Sequence, residues 1–200
     1  MAEQDVKSSP NTIMSLEETL KAILPDGKLS GKLPPVHLWN PEHCGDIDMA
    51  IRSDGTWWHE GSQIKRQRLV KTFSRILRKD PDGLIYLVTP YEKVIVHVED
   101  APFQAVRVDC VNVEGEGPAL AFLTNLDDVT LAGPDNPIRV EIDPDTGEPS
   151  PYVMVRAGLE AKMTRPVFYE LANMAEMSSD GGDTMGVWSQ GEFFVLGGAG

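Results

Sequence analysis

Two windows of this chain, residues 61–70 and 158–167, carry the same four residue types in the same places. Gly61, Lys65, Arg68 and Val70 are matched by Gly158, Lys162, Arg165 and Val167, a constant separation of 97 positions (158 − 61). Around each window the pattern runs in one order: the alternation of a hairpin, then helical spacing, then further strands. Four identities in ten positions are a modest signal alone, and the shared order of elements strengthens it. A duplicated hairpin-plus-helix unit restricts the chain to two small, related sheet-and-helix layers. It also leaves a groove between quasi-equivalent halves, where ligand sites are favoured.

In the first unit, Ile47, Met49 and Ile51 alternate with polar neighbours, Asp54-Gly55 makes a turn, and Thr56-Trp57-Trp58 resumes as a strand. Leu69, Val70, Phe73, Ile76 and Leu77 then fall on one arc of a helical wheel. Arg68, Lys71, Arg75, Arg78 and Lys79 fall on the opposite arc, so the spacing predicts an amphipathic helix stopped by Asp80-Pro81-Asp82-Gly83. LIYLVTP and KVIVHVED read as strands joined tightly through residues 89–93. Residues 103–131 hold two strands around an acidic Gly-rich turn and a short third, and residues 138–163 form another hairpin. Thr164 caps a second helix with Pro166 in its first turn. An SSDGGDT loop, a final hairpin in GVWSQGEFFVLG and a GGAG end follow. Ahead of all this, Ser15 and Glu18 form a capping box for a short helix with Leu16, Leu20, Ile23 and Leu24 on one face.

The expected fold is therefore α+β, with two structurally related domains. Each is a small, mostly antiparallel sheet packed against one amphipathic helix. The expected divisions are 1–33 for the N-terminal helix and linker, 34–103 for the first domain and 104–200 for the second.

Charge narrows the function. The chain has a formal net charge of −13, yet seven of its eighteen basic residues lie between Lys65 and Lys79. An acidic chain repels duplex nucleic acid, whereas a local basic face can still hold a small anion. No run approaches the ~20 apolar residues of a membrane helix, and the polar N-terminus lacks the apolar stretch of a secretory signal. A cytoplasmic setting is expected, with no membrane insertion and no cofactor. Cys44 and Cys110 read as small, mostly buried thiols rather than a disulfide framework.

The stretches LWNPEHCGDIDMAI, DGTWW, GSQIKRQRLVKTFSRILR, LVTPYEK and VEDAPF, in that order, resemble the bacterial domain-of-unknown-function family 1285. The resemblance runs from about Pro34 to near the C-terminus. It implies two similar α+β domains, the second pleckstrin-homology-like, with a nucleotide-like ligand at their junction and a role in signal transduction. It implies no reaction. Tyr91 in LVTPYEK departs from the smaller apolar residue expected there, which bears on selectivity if that loop meets ligand.

The candidate ligand residues follow from the basic segment and its surroundings. Arg68, Lys71 and Lys65 supply charge, and Arg68 lies near a helix start, where backbone N–H groups also favour anions. The same face also reads as an ordinary solvated surface, or as a partner for acidic loops of this chain. Alternation sends Trp57 and Trp58 to opposite sides of the sheet, one to the core and one free to stack on a base. His59 stands beside them as a surface residue or a pocket donor. Thr89, Glu92 and Lys93 form a turn that is either structural or oriented toward ligand. His37, His43, Cys44, Asp46, Asp48 and His59 lack the tight spacing of a zinc site, although Asp46 and Asp48 point the same way from a regular strand. No nucleophile elbow, phosphate loop or dinucleotide fingerprint occurs. The expected activity is non-enzymatic binding of a small anionic ligand between the halves. A protein-interaction adaptor is the alternative, and an enzyme the remaining one.

Overall fold

The structure, a computed structural model, describes residues 33–115, 117–178 and 183–198, with the backbone alone at 43–47. The N-terminal helix expected at residues 15–24 lies outside the described residues, as do most of the SSDGGDT loop and the chain end.

The first half opens with a 3-10 turn at Val36–Leu38 and strand β1 (His43–Ile51). Strand β2 (Trp57–His59) returns antiparallel to β1, placing Ile51 opposite Trp57. Glu60 and Gly61, with φ of 47° and 70°, then turn the chain into β3 (Ser62–Gln63). Two consecutive positive φ angles are the signature of a type I′ hairpin turn, which matches strand twist and favours glycine. Helix α1 (Gln67–Ser74) follows, then an antiparallel meander of β4 (Leu77–Lys79), β5 (Ile85–Val88) and β6 (Lys93–Val98). The sheet order is β3-β2-β1-β6-β5-β4, and its central pair, β1 with β6, is parallel.

The basic segment is thus less helical than its spacing predicts. The helix ends at Ser74, whose hydroxyl donates to the Lys71 carbonyl, and Leu77–Lys79 belongs to a hairpin around the Asp-Pro-Asp-Gly turn. Leu77 is 2 % exposed and faces Leu87 across that hairpin. Three residues fit a helical arc and a strand face equally well, and the strand wins because β5 satisfies their backbone.

The second half begins with a meander of β7 (Phe103–Val113), β8 (Gly117–Thr124) and β9 (Val129–Leu131). A second meander, β10 (Ile138–Ile142), β11 (Pro149–Arg156) and β12 (Leu159–Met163), leads into helix α2 (Arg165–Asn173). A third comprises β13 (Glu176–Met177), β14 (Thr184–Ser189) and β15 (Glu192–Gly198). The first two join as β10-β11-β12-β7-β8-β9, with β12 parallel to β7, and the third is a separate three-stranded sheet. Ser189 fastens that sheet to the larger one. Its buried hydroxyl donates to the Ala132 carbonyl at 2.6 Å and accepts the Leu120 N–H at 2.8 Å.

The duplication is plain in the element order: β1-β2-β3-α1-β4-β5-β6 recurs as β10-β11-β12-α2-β13-β14-β15. The helices begin at 67 and 165, and the last strands at 93 and 192. The hairpin turn recurs too, with Ala157 and Gly158 at φ of 43° and 80°. Val70 and Val167 occupy the same buried place on their helices, at 4 % and 1 % exposure. Strands β7 to β9 are the addition in the second half. One core runs through both halves, uniting Ile51, Trp57 and Leu77 with Phe103, Phe122, Leu159 and Leu171.

Two local expectations are corrected. Asp48 has φ +41° within a register shift of β1, so the regular alternation that would align Asp46 and Asp48 is broken there. The side chains of His43, Cys44 and Asp46 lie outside the described set. Cys110 is an exposed free thiol rather than a buried one. Residues 110–113 of β7 pair with 117–120 of β8 and lie beyond the register of β12, so among the described residues the other edge of β7 is unpaired there.

Candidate functional site

The nine residues singled out from the sequence do not converge. Trp57 is 1 % exposed, with its ring stacked on Phe73 at 6.3 Å, so it fills the core and offers no face to a ligand. Trp58 lies on the other side of β2 and is half-buried. Its Nε1 donates to the Thr56 hydroxyl, and the Arg52 guanidinium sits 4.3 Å from its ring. His59 is half-buried between Met49 and Ser62. Lys65 and Arg68 are exposed at the start of α1 and pair with no described acid. Thr89 and Glu92 are structural: the Thr89 hydroxyl accepts the N–H groups of Tyr91 and Glu92, and the Thr89 N–H donates to the Glu92 carbonyl.

The other two cations are spent within the protein. Lys71 pairs with Asp127 in the β8–β9 turn, so α1 reaches across to the second half. The Ser74 carbonyl at the end of α1 accepts Arg156 of β11 at 2.8 Å and extends that contact. Lys93 donates to Asp80 at 2.7 Å and lies 4.2 Å from the Tyr86 ring. The same carboxylate receives Arg78 at 2.5 Å and 3.2 Å. Arg78 also donates to the carbonyls of Val36 at 2.7 Å and Trp39 at 2.5 Å, tying the 3-10 segment to β4. Arg78, and after it Lys93, holds the Asp80 carboxyl below the usual range against the opposing effect of burial.

A concavity lies at the second copy of the repeat. A cleft of about 420 Å³ opens between the β10–β11 turn, β12 and the first turns of α2. Glu148, Pro149, Ser150 and Pro151 form one wall, Lys162 and Met163 the floor, and Arg165, Phe168 and Tyr169 the helix side. Lys162 and Arg165 are the duplicated partners of Lys65 and Arg68. The repeat placed them in register in the sequence. Opposite them stands the β10–β11 hairpin, with five residue pairs against three in its first-half counterpart, β1–β2.

Lys162 is anchored from behind. Its ammonium donates to Asp100 Oδ2 at 2.5 Å, and Tyr152, 5 % exposed, donates its hydroxyl to Asp100 Oδ1 at 2.8 Å. Asp100 lies in the short connection from β6 to β7, behind Lys162, whereas the lining residues of the cleft all belong to the second half. The hydrogen bond to Asp100 raises the Lys162 pKa against its partial burial, keeping it an ammonium. Burial, and after it Asp100, raises the Tyr152 phenol pKa. Arg139 lies 4.2 Å from the Tyr152 ring and is neutralised by Glu160, at 2.6 Å and 2.7 Å, and by Glu141.

The comparisons agree with this architecture. Residues 34–101 match the N-terminal domain of unknown function DUF1285, and residues 102–196 match the C-terminal domain of the protein of unknown function DUF1285. The crystal structure of a DUF1285 family protein from Silicibacter pomeroyi DSS-3 is 46 % identical, with a TM-score of 0.76 over 92 % of this chain and 95 % of that one. A DUF1285 family protein from Shewanella baltica OS155 is 27 % identical, covering 64 % of this chain and 91 % of that one at a TM-score of 0.49. No curated protein matches the chain. Two contiguous domain matches and close likeness over nearly the whole length lead to one conclusion: the chain belongs to the DUF1285 family.

Proposed function

We propose that the protein is a non-enzymatic binding protein or sensor. It holds a small anionic, nucleotide-like ligand in the α2 cleft of the second domain, which Asp100 behind Lys162 links to the first, in a cytoplasmic signalling role. For this reading the domains divide at residues 34–103 and 104–200, the second being pleckstrin-homology-like. The observation that carries it is the convergence of Lys162 and Arg165 with Phe168 and Tyr169 in one concavity. Guanidinium and ammonium groups suit phosphate or carboxylate, and aromatic rings suit a planar body. The cleft volume falls in the range typical of small-molecule sites.

Binding is favoured over catalysis by the state of Lys162. Ser150 brings an aliphatic hydroxyl to the cleft beside the Tyr169 phenol, and a serine needs a base to become a nucleophile. Lys162 is held as a cation by Asp100 and supplies none. Calorimetry with AMP on the wild type, Arg165→Gln and Arg68→Ala tests the site. Loss of a charge-assisted contact at Arg165 costs about 1.5–3 kcal/mol of affinity. Unchanged binding in Arg165→Gln refutes the site, and loss in Arg68→Ala instead moves it to the first copy.

A protein-interaction adaptor is the second reading, favoured by Trp188 and Val195, which are 50 % and 49 % exposed on the β14–β15 sheet. Capture of one protein partner that Trp188→Ser abolishes, with AMP without effect, would establish it.

A further inference from the structure

The charges lining the cleft are not equally available. Lys162 is committed to Asp100 at 2.5 Å, and Arg139 behind the wall to Glu160 and Glu141. Two open charges of opposite sign remain. Arg165 is exposed at the first position of α2, and its guanidinium bonds to no described residue. Glu148 is exposed on the opposite wall, and its carboxylate likewise bonds to no described residue. The Glu148 backbone, by contrast, is fixed. Its N–H donates to the Thr146 hydroxyl at 3.2 Å and its carbonyl accepts the Asp143 N–H at 2.9 Å, closing the β10–β11 turn. A carboxylate on a fixed backbone thus lines the cleft from one side and an arginine from the other. Phe168, Tyr169, Pro149 and Pro151 form apolar surface around them.

We propose that the ligand is a zwitterion of amino-acid type. Its carboxylate engages Arg165, its ammonium engages Glu148, and an apolar or aromatic body lies along Phe168 and Tyr169. This rests on the anion-binding reading of the same cleft and narrows its ligand: the acidic group is kept, an amine is added and a small apolar body replaces the nucleotide-like one, so AMP binds more weakly than L-phenylalanine. A polyanion suits the site less well. It meets one unpaired cation, because the charge of Lys162 is already balanced by Asp100, and it is opposed by Glu148 throughout. A zwitterion satisfies both open charges at once, and leaving either unpaired lowers affinity.

The test uses four probes, L-phenylalanine, 3-phenylpropionate, 2-phenylethylamine and AMP, titrated by calorimetry and ligand-observed NMR against the full-length protein. L-phenylalanine is expected to bind about tenfold or more tighter than either single-charge analogue, one charge-assisted contact being worth at least that factor. Glu148→Gln should erase its advantage over 3-phenylpropionate, and Arg165→Gln its advantage over 2-phenylethylamine. Both side chains are exposed, so both variants should keep the wild-type melting temperature. If 3-phenylpropionate or AMP binds as tightly as L-phenylalanine and depends on Arg165, the anion site stands and the zwitterion is refuted. Silence from all four probes, or L-phenylalanine binding indifferent to both substitutions, overturns both readings.

Discussion

Replacing Arg78 with methionine isolates the electrostatic hub under the first sheet. The thioether chain keeps most of the packing of the arginine stem, so the change chiefly removes the guanidinium. Lost with it are the two bonds to Asp80 and those to the Val36 and Trp39 carbonyls. The side chains of Arg78 and Asp80 are 14 % and 11 % exposed, so water only partly replaces these bonds. Hydrogen bonds involving a charged group contribute ~1.5–3 kcal/mol each but do not add when they share a donor, so a loss of about 3 kcal/mol is expected. With a urea m-value of ~1–3 kcal/mol/M, the midpoint falls by about 1–3 M. Lys93→Met removes one bond to Asp80 and the contact over Tyr86, and should cost about 1–2 kcal/mol. The double variant is the sharper test. It strands the mostly buried Asp80 carboxylate, so its cost should exceed the sum of the singles by about 1 kcal/mol, and adding Asp80→Asn should recover part of the loss. A double variant that is merely additive, or an Arg78→Met change below about 0.5 kcal/mol, refutes the hub.

Other outcomes follow from the same geometry. Trp57→Ala empties a site that is 1 % exposed and should cost about 3–5 kcal/mol in urea unfolding, while leaving any cleft ligand's affinity unchanged. Gly61→Ala and Gly158→Ala, at φ of 70° and 80°, should each cost about 1–2 kcal/mol, the second somewhat more because its added methyl meets the Lys79 side chain at 3.3 Å. The Asp80 pKa is lowered in the folded state. Its contribution is therefore present above the unfolded carboxylate value of ~3.9 and lost as pH falls below it, so acid titration of stability should flatten in Asp80→Asn. The Tyr86 phenol, donating to Asp82, is pushed up to about 12, and Asp82→Asn should bring its ultraviolet titration down toward ordinary tyrosine.

Much of the fold was legible because it is written in short-range chemistry. Asp54-Gly55, Asp82-Gly83 and the repeated Gly61 and Gly158 mark their turns unaided, and Thr164 with Pro166 marks the start of α2. The end of α1 was not legible, because Ile76 and Leu77 satisfy helical and strand spacing alike and only the presence of β5 decides between them. The irregularity at Asp48 was hidden as well, since a bulge conserves composition while breaking alternation. The cleft was not read from the sequence. The repeat placed Lys162 and Arg165 in register with Lys65 and Arg68, but the basic cluster on α1 drew attention to Arg68. Whether a cation faces a cleft depends on what stands opposite, here the β10–β11 hairpin, and that is a non-local fact. Lys71 shows the same limit from the other side: its acid, Asp127, lies 56 positions away.

The parallel pairing of β1 with β6 has a bearing on how the first half assembles. Ile51 sits opposite Val98, 47 positions later (98 − 51), whereas the strand pairs on either side close through tight local turns. The two flanking ribbons can zip early at little entropic cost, but neither has its mate until the intervening segment, α1 included, has collapsed. That seam is therefore the slow, order-dependent step. Until it closes, the apolar edges of β1 and β6 are the surfaces most exposed to mispairing between neighbouring chains.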